Sequence, residues 1–166
     1  MAGEKILIVD DNSDAVTILT AILKKGGYAV SVARDGVEAL HMATEKRPAL
    51  ILLDLMLPKM DGFEVCRRIR DDPALRDTII FFLSAKGDTS SKTQAITLRV
   101  REYIIKPFTP QEILEKVQYH LSTPKPPDIF SLAFLVVGLY SRLVQLGLWI
   151  RLRSLQKRPA INRFPF

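Results

Sequence analysis

Five side chains of this 166-residue chain have the types and spacing of a reactive centre. They are the adjacent carboxylates Asp10 and Asp11, the lone carboxylate Asp54, the hydroxyl of Ser84 and the ammonium of Lys106. Each closely follows a short apolar run: Lys5-Ile6-Leu7-Ile8-Val9, Ala49 to Leu53, Thr78 to Leu83, and Tyr103-Ile104-Ile105. Three carboxylates gathered in one place repel unless a cation joins them. A few hard oxygen ligands suit Mg2+, which keeps several of its waters. A carboxylate can attack phosphorus to give an aspartyl phosphate. In-line phosphoryl transfer asks the protein mainly for positioning and for charge neutralisation on the equatorial oxygens. A divalent ion, an ammonium and a hydroxyl donor provide that, so the set predicts acceptance of a phosphoryl group on Asp54.

Such a centre needs elements that bring four strand ends to one edge. Ala49 to Leu53 is an unbroken apolar run closed by Pro58 and by Asp61-Gly62, as expected of a strand buried on both faces. Tyr28 to Ala33 supplies a further strand. Between the strands lie helical stripes: Val16, Leu19, Ala21, Ile22 and Leu23, with Asn12 or Ser13 as N-cap; Val37, Ala39, Leu40, Met42 and Ala43, ending before Pro48; and Gly62 to Arg70, with Phe63, Val65, Cys66 and Ile69 inward and Arg67, Arg68 and Arg70 outward. A weaker helix spans Ser90 to Val100. The last runs from Pro110 to Leu121, with Thr109 and Glu112 spaced as a capping box. Strand then helix, five times over, predicts an α/β fold: a doubly wound, five-stranded parallel sheet with right-handed crossovers and helices on both faces. Carboxyl ends of such strands share one edge, where open sheets place their sites.

The chain from Lys5 to Leu121 resembles the response-regulator receiver domain of two-component signalling, a flavodoxin-like (βα)5 fold. The resemblance is carried by Asp10-Asp11, by Asp54, and by the turn Met56-Leu57-Pro58-Lys59-Met60-Asp61-Gly62. Ser84-Ala85 and Lys106-Pro107-Phe108 complete it. It implies that Asp54 is the phospho-acceptor. Asp11, Asp54 and the Met56 backbone carbonyl would hold Mg2+, with Asp10 acting mostly through water. Lys106 would pair with the phosphoryl group and Ser84 would swing to bond it. Tyr103 matches the aromatic switch, on a face made by the fourth helix, fifth strand and fifth helix. Met56 and Lys86 match the positions that tune dephosphorylation. The implied partner is a sensor histidine kinase or a phosphotransfer protein. The protein would be no enzyme beyond its own phosphorylation and dephosphorylation. The pattern breaks at Leu98-Arg99-Val100-Arg101, where Arg99 stands at a position suited to a glycine in a left-handed cap, at a strain of roughly 1 kcal/mol. Arg101 adds positive charge to the switching face.

Other residues invite blander readings. His41 and His120 are read as ordinary surface or boundary positions on helices, without ligand partners. Cys66 is read as packing, and a single cysteine excludes an internal disulfide framework. No signal-peptide pattern opens the chain.

Net charge divides the chain in two. Residues 1–122, read as the receiver, carry 17 basic and 17 acidic residues, so the whole excess of +6 lies beyond them. Residues 123–128 form a Pro-rich linker. Residues 129–166 are read as an apolar helix with a basic end, interrupted by Arg142. Its 22 apolar-rich residues, 129–150, would reach about 33 Å as a helix. Arg142 and the five basic residues that follow disfavour a span and favour a helix lying on the membrane surface through 129–163. The rival is a helix that docks or forms a homodimer. The expected location is cytoplasmic, at the inner face of the membrane. No nucleic-acid partner is expected, because the tail lacks a helix-turn-helix pattern and a DNA-binding regulator needs a longer output region. The functional rivals are an Asp-nucleophile phosphatase, disfavoured by Met56 where a second Asp would stand, and a non-signalling flavodoxin-like binding domain.

Overall fold

The structure, a computed structural model, describes residues 3–85 and 89–123. The readings made on Lys86 and on residues 124–166 fall outside them. Five strands, β1 (Lys5–Val9), β2 (Ala29–Ala33), β3 (Leu50–Asp54), β4 (Ile79–Ser84) and β5 (Glu102–Ile105), alternate with five helices. The helices are α1 (Ser13–Lys25), α2 (Gly36–Lys46), α3 (Gly62–Asp71), α4 (Thr89–Thr97) and α5 (Pro110–Ser122). All strand pairs are parallel and the spatial order is β2-β1-β3-β4-β5. The chain therefore steps outward from β1 to β2, then crosses back to β3 on the other side. That reversal opens a crevice at the carboxyl ends of β1 and β3, where an open α/β sheet binds its ligands.

Strand alternation sorts the core onto two faces. Leu7, Val9, Ile51, Leu53, Ile80 and Phe82 pack beneath α2, α3 and α4, with Ala39, Ala43, Val65, Cys66 and Ile69. Ile6, Ile8, Leu50, Leu52, Phe81, Leu83 and Ile104 face α1 and α5, meeting Leu19, Leu23, Ile113 and Val117. Every residue of β3 is buried, as its unbroken apolar sequence requires of a central parallel strand. Among the described residues no helix is long and apolar enough to cross a membrane.

The helix starts follow their capping chemistry. Asn12 accepts from the N–H groups of Asp14 and Ala15, Asp35 from Val37 and Glu38, and Asp61 from Glu64. Thr109 Oγ1 accepts the Glu112 N–H at 3.1 Å, with Pro110 opening the helix. Each such cap satisfies a donor that the first turn leaves unpaired.

The fourth helix ends three residues before its expected limit. Val100 N–H donates to Ala95 O and Arg99 N–H to Ile96 O, both at 3.0 Å. With Arg99 at φ 54°, this is a Schellman termination, and the sequence lacks the glycine that usually announces one. Arg70 explains why it holds. Far from pointing outward, its half-buried guanidinium donates to the carbonyls of Leu98 (2.9 Å), Arg76 (2.8 Å), Thr78 (2.9 Å) and Arg99 (3.2 Å). One side chain thus satisfies the end of α4 and pins it to the loop before β4. Because Arg70 reads only backbone oxygens, Arg99→Gly should keep the clamp and release the left-handed strain. Its expected effect is a gain of about 0.5–1 kcal/mol, seen as a Tm increase of roughly 2–5 °C. An unchanged or lower melting temperature would show that the αL backbone is not strained there.

Candidate functional site

Three of the residues singled out for chemistry meet at the crevice. Asp10 and Asp54 continue the alternation of Ile6-Ile8 and Leu50-Leu52, and Lys106 that of Ile104, so all three lean to the α1–α5 side. Register places them together, since Val9 pairs with Leu53 and Ser84 with Ile105. Lys106 Nζ donates to Asp10 Oδ2 at 2.8 Å and to Asp54 Oδ2. The other carboxylate oxygens are also engaged: Asp10 Oδ1 accepts from Asn12 N–H and Asp54 Oδ1 from Met56 N–H, each at 2.9 Å. Asp10 is wholly buried and Asp54 nearly so. The Lys106-Pro107 peptide is cis.

Burial pushes the Asp54 carboxyl above its ordinary value, and the nearby Asp10 charge adds to this. The Lys106 bond and the Met56 N–H oppose the shift without cancelling it. For Lys106, burial works against the ammonium, but its bonds to Asp10 and Asp54 prevail and it holds its proton more tightly than an ordinary lysine. The trio is therefore a strained charge arrangement: one cation shared by two desolvated anions.

The remaining predicted residues lie around this trio. Asp11 is exposed, and among the described residues no three or more His, Cys, Asp or Glu side chains converge as a metal-holding group. Met56 is 78% exposed at the mouth. Ser84 is buried at the end of β4 and by alternation belongs with Ile80 and Phe82, on the opposite side of the sheet from the acid trio. Tyr103 is half-buried on that same side, its ring edge-on to Phe82 with centroids 6.5 Å apart. Gly62 has a steric reason to be glycine: a Cβ there would collide with the backbone carbonyl of Asp54. The Asp61-Gly62 turn can therefore fold tightly back over the strand that presents Asp54.

Besides the correction at Arg70, the structure adds a partner to one histidine and bears out the readings of Cys66 and His41. His120 holds the boundary position expected of it and gains an ion-pair partner: its Nε2 lies 2.8 Å from Glu102 Oε1, and Lys116 Nζ donates to Glu102 Oε2 at 2.7 Å. This joins the start of β5 to two successive turns of α5. The i, i+4 spacing of Lys116 and His120 was the available signal, but their acceptor is remote in sequence. Cys66 is fully buried and burial pushes its thiol up to about 11, so it is a packing residue. His41 is a surface residue beside Glu45.

A parallel (βα)5 sheet with an acid–lysine–acid trio at its switch point defines a receiver-type α/β domain. Residues 6–118 match the family described as the response regulator receiver domain, and the chain belongs to that family. It is 42% identical over 116 residues to the alkaline phosphatase synthesis transcriptional regulatory protein PhoP of Bacillus subtilis, covering 70% of this chain and 48% of that protein. It is 38% identical over 132 residues to the DNA-binding response regulator MtrA of Mycolicibacterium paratuberculosis, covering 78% and 57%. The chain thus spans about half the length of the curated relatives it matches. Among solved structures it resembles a response regulator from Chloroflexus aurantiacus, with a TM-score of 0.69 and 34% identity over 73% of this chain and 99% of that one. It also resembles the receiver domain of a sensor histidine kinase from Pseudomonas aeruginosa, with a TM-score of 0.68 and 31% identity over 74% and 100%. That structure is described with a magnesium ion coordinated in its active-site cleft. The expectation that nucleic acid plays no part is set aside, because the relatives include regulators named for DNA binding.

Proposed function

We propose that the chain accepts a phosphoryl group on Asp54 from a sensor histidine kinase or a phosphotransfer protein. The observation that carries this reading is the shared ammonium of Lys106 between Asp10 and Asp54 at the sheet's switch point. A carboxylate oxygen of Asp54 would bond to phosphorus while the bond to the donor's leaving group breaks and that group departs with the electron pair. Lys106 then has a richer anion to neutralise than the carboxylate it holds now. The donor set fits Mg2+, which needs only one or two carboxylates alongside waters and substrate oxygens. Asp54, Asp11 and the Met56 carbonyl would hold it, with Asp10 through water, and when bound it supplies charge neutralisation at the transferring group. Ser84 and Tyr103, together on the far side of the sheet, would carry the change to the face formed by α4, β5 and α5. Incubation with Mg2+ and acetyl phosphate should add one phosphoryl mass to the peptide containing Asp54 and shift the environment of Tyr103. Labelling confined to any other peptide would refute the assignment.

For residues 129–166 the reading remains a membrane-surface anchor or a docking or dimerising helix. DNA binding, named for relatives about twice as long, would belong to an output region outside the receiver. The two tail readings separate in one comparison. The full chain should pellet with anionic vesicles while a version ending at Ser122 stays in solution. Equal partitioning of both would exclude the membrane role.

A further inference from the structure

The crevice poses a charge problem for its own reagent. A phosphodonor is an anion, yet it must approach past Asp10, Asp11, Asp54 and Asp61. The floor cation, Lys106, already donates to Asp10 and Asp54. Lys59, between β3 and α3, donates to Asp35 at 2.5 Å. Among the described residues of the loops on this edge, the remaining cation is Arg34, between β2 and α2.

The backbone of Arg34 is held in place. Its backbone N–H donates to Glu38 Oε2 at 2.7 Å, in the first turn of the helix that Asp35 caps. Its exposed guanidinium reaches to 3.5 Å from the carbonyl oxygen of Asp11, so it leans over the end of β1. Among the described residues it pairs with no carboxylate. A guanidinium carries five donors in a planar fork suited to phosphate oxygens, and the long 3.5 Å contact to the Asp11 carbonyl engages at most one of them.

We propose that Arg34 is a phosphodonor-positioning residue: its guanidinium, tethered at the Asp11 carbonyl on the rim of the acidic crevice, receives the phosphoryl oxygens of an incoming anionic donor ahead of transfer to Asp54. This rests on Asp54 being the acceptor. Arg34 forms no covalent bond; it offsets the repulsion of the acidic rim and orients the donor above the carboxylate.

The test uses the full chain, fixed Mg2+ and acetyl phosphate, with the second-order rate constant of Asp54 labelling measured across ionic strengths. Arg34→Ala should label about fivefold more slowly at low salt, the scale of one partly exposed charge-assisted contact. The deficit should close as salt screens the approach, and Arg34→Lys should recover most of the rate. Labelling of Arg34→Ala at the wild-type rate in low salt would overturn the inference. So would a loss that is equal at every ionic strength and unrepaired by lysine, which would make the guanidinium a mere strap on the β1–α1 loop. If the wild-type chain itself takes no phosphoryl group, the acceptor reading fails and this inference with it.

Discussion

Asp54→Asn is expected to abolish Mg2+-dependent labelling and, measured without Mg2+, to raise the melting temperature. The two effects have one cause. Asp54 is desolvated and faces Asp10, so its folded-state pKa is raised. A carboxyl shifted upward costs the folded state stability once pH exceeds its unfolded value, and the cost is complete above its folded value. Asparagine keeps the shape and removes the charge, while Lys106 retains Asp10. The gain in Tm should be present at pH 7 and fade as pH falls to the ordinary carboxylate range, where wild-type Asp54 is itself neutral. Thermal melts across pH, paired with labelling, check both parts. A variant that labels normally, or melts below wild type at pH 7, would contradict the account.

The opposite sign is expected of Lys106→Ala. Removing the ammonium leaves Asp10 and Asp54 facing each other in a desolvated crevice. Breaking a buried ion pair from one side costs about 3–5 kcal/mol. The Lys106 side chain keeps 24% of its exposure, so about 3 kcal/mol at pH 7 is expected, with the domain still folded. The pKa of Lys106 is raised, so its stabilising contribution is complete below the ordinary lysine value and is lost only as pH rises through the folded one. On the acid side the deficit should shrink as Asp54 takes up its proton and the repulsion disappears. The phosphorylated variant should also show a weakened change at Tyr103. Denaturant unfolding at pH 7 and near pH 4 decides the first part. A deficit that is flat with pH would mean that charge repulsion is not its source.

Most of this arrangement was legible in the chain because parallel sheets write themselves plainly. A short continuous apolar run bounded by turn residues, such as Leu50–Leu53, suits a strand buried on both faces, and the residue that ends it then stands at the sheet's edge. Alternation also makes Asp10, Asp54 and Lys106 neighbours in space although 96 positions separate the first from the last. What stayed hidden were side chains whose partners are backbone oxygens or residues distant in sequence. Arg70 sits beside Ile69 at the border of the apolar stripe, and nothing in its spacing distinguishes a solvated arginine from one that binds four carbonyls. The stop of α4 lies in left-handed Arg99, the position the sequence marks for a glycine cap, and what it does not reveal is that Arg70 binds the carbonyls there. The pairing of His120 stayed hidden for a similar reason, its partner Glu102 lying 18 positions earlier.

The Arg70 clamp has a consequence for how the domain opens. α4 buries a single apolar side chain among its described residues, Ala95, and its sequence is largely threonine, serine and glutamine. Little of its cohesion therefore comes from the hydrophobic core. Native proteins loosen in cooperative units whose opening free energies range from near zero to the global value. With so small a packed face, α4 belongs at the low end of that range and can unfold while the five strands remain paired. The guanidinium at its far end would keep the segment in register during such excursions, because it holds the carbonyls of Leu98 and Arg99. The element on the proposed output face is thus fastened at one end and sparsely packed along its length, an arrangement in which a small bias at the crevice would change its population of open states without disturbing the sheet.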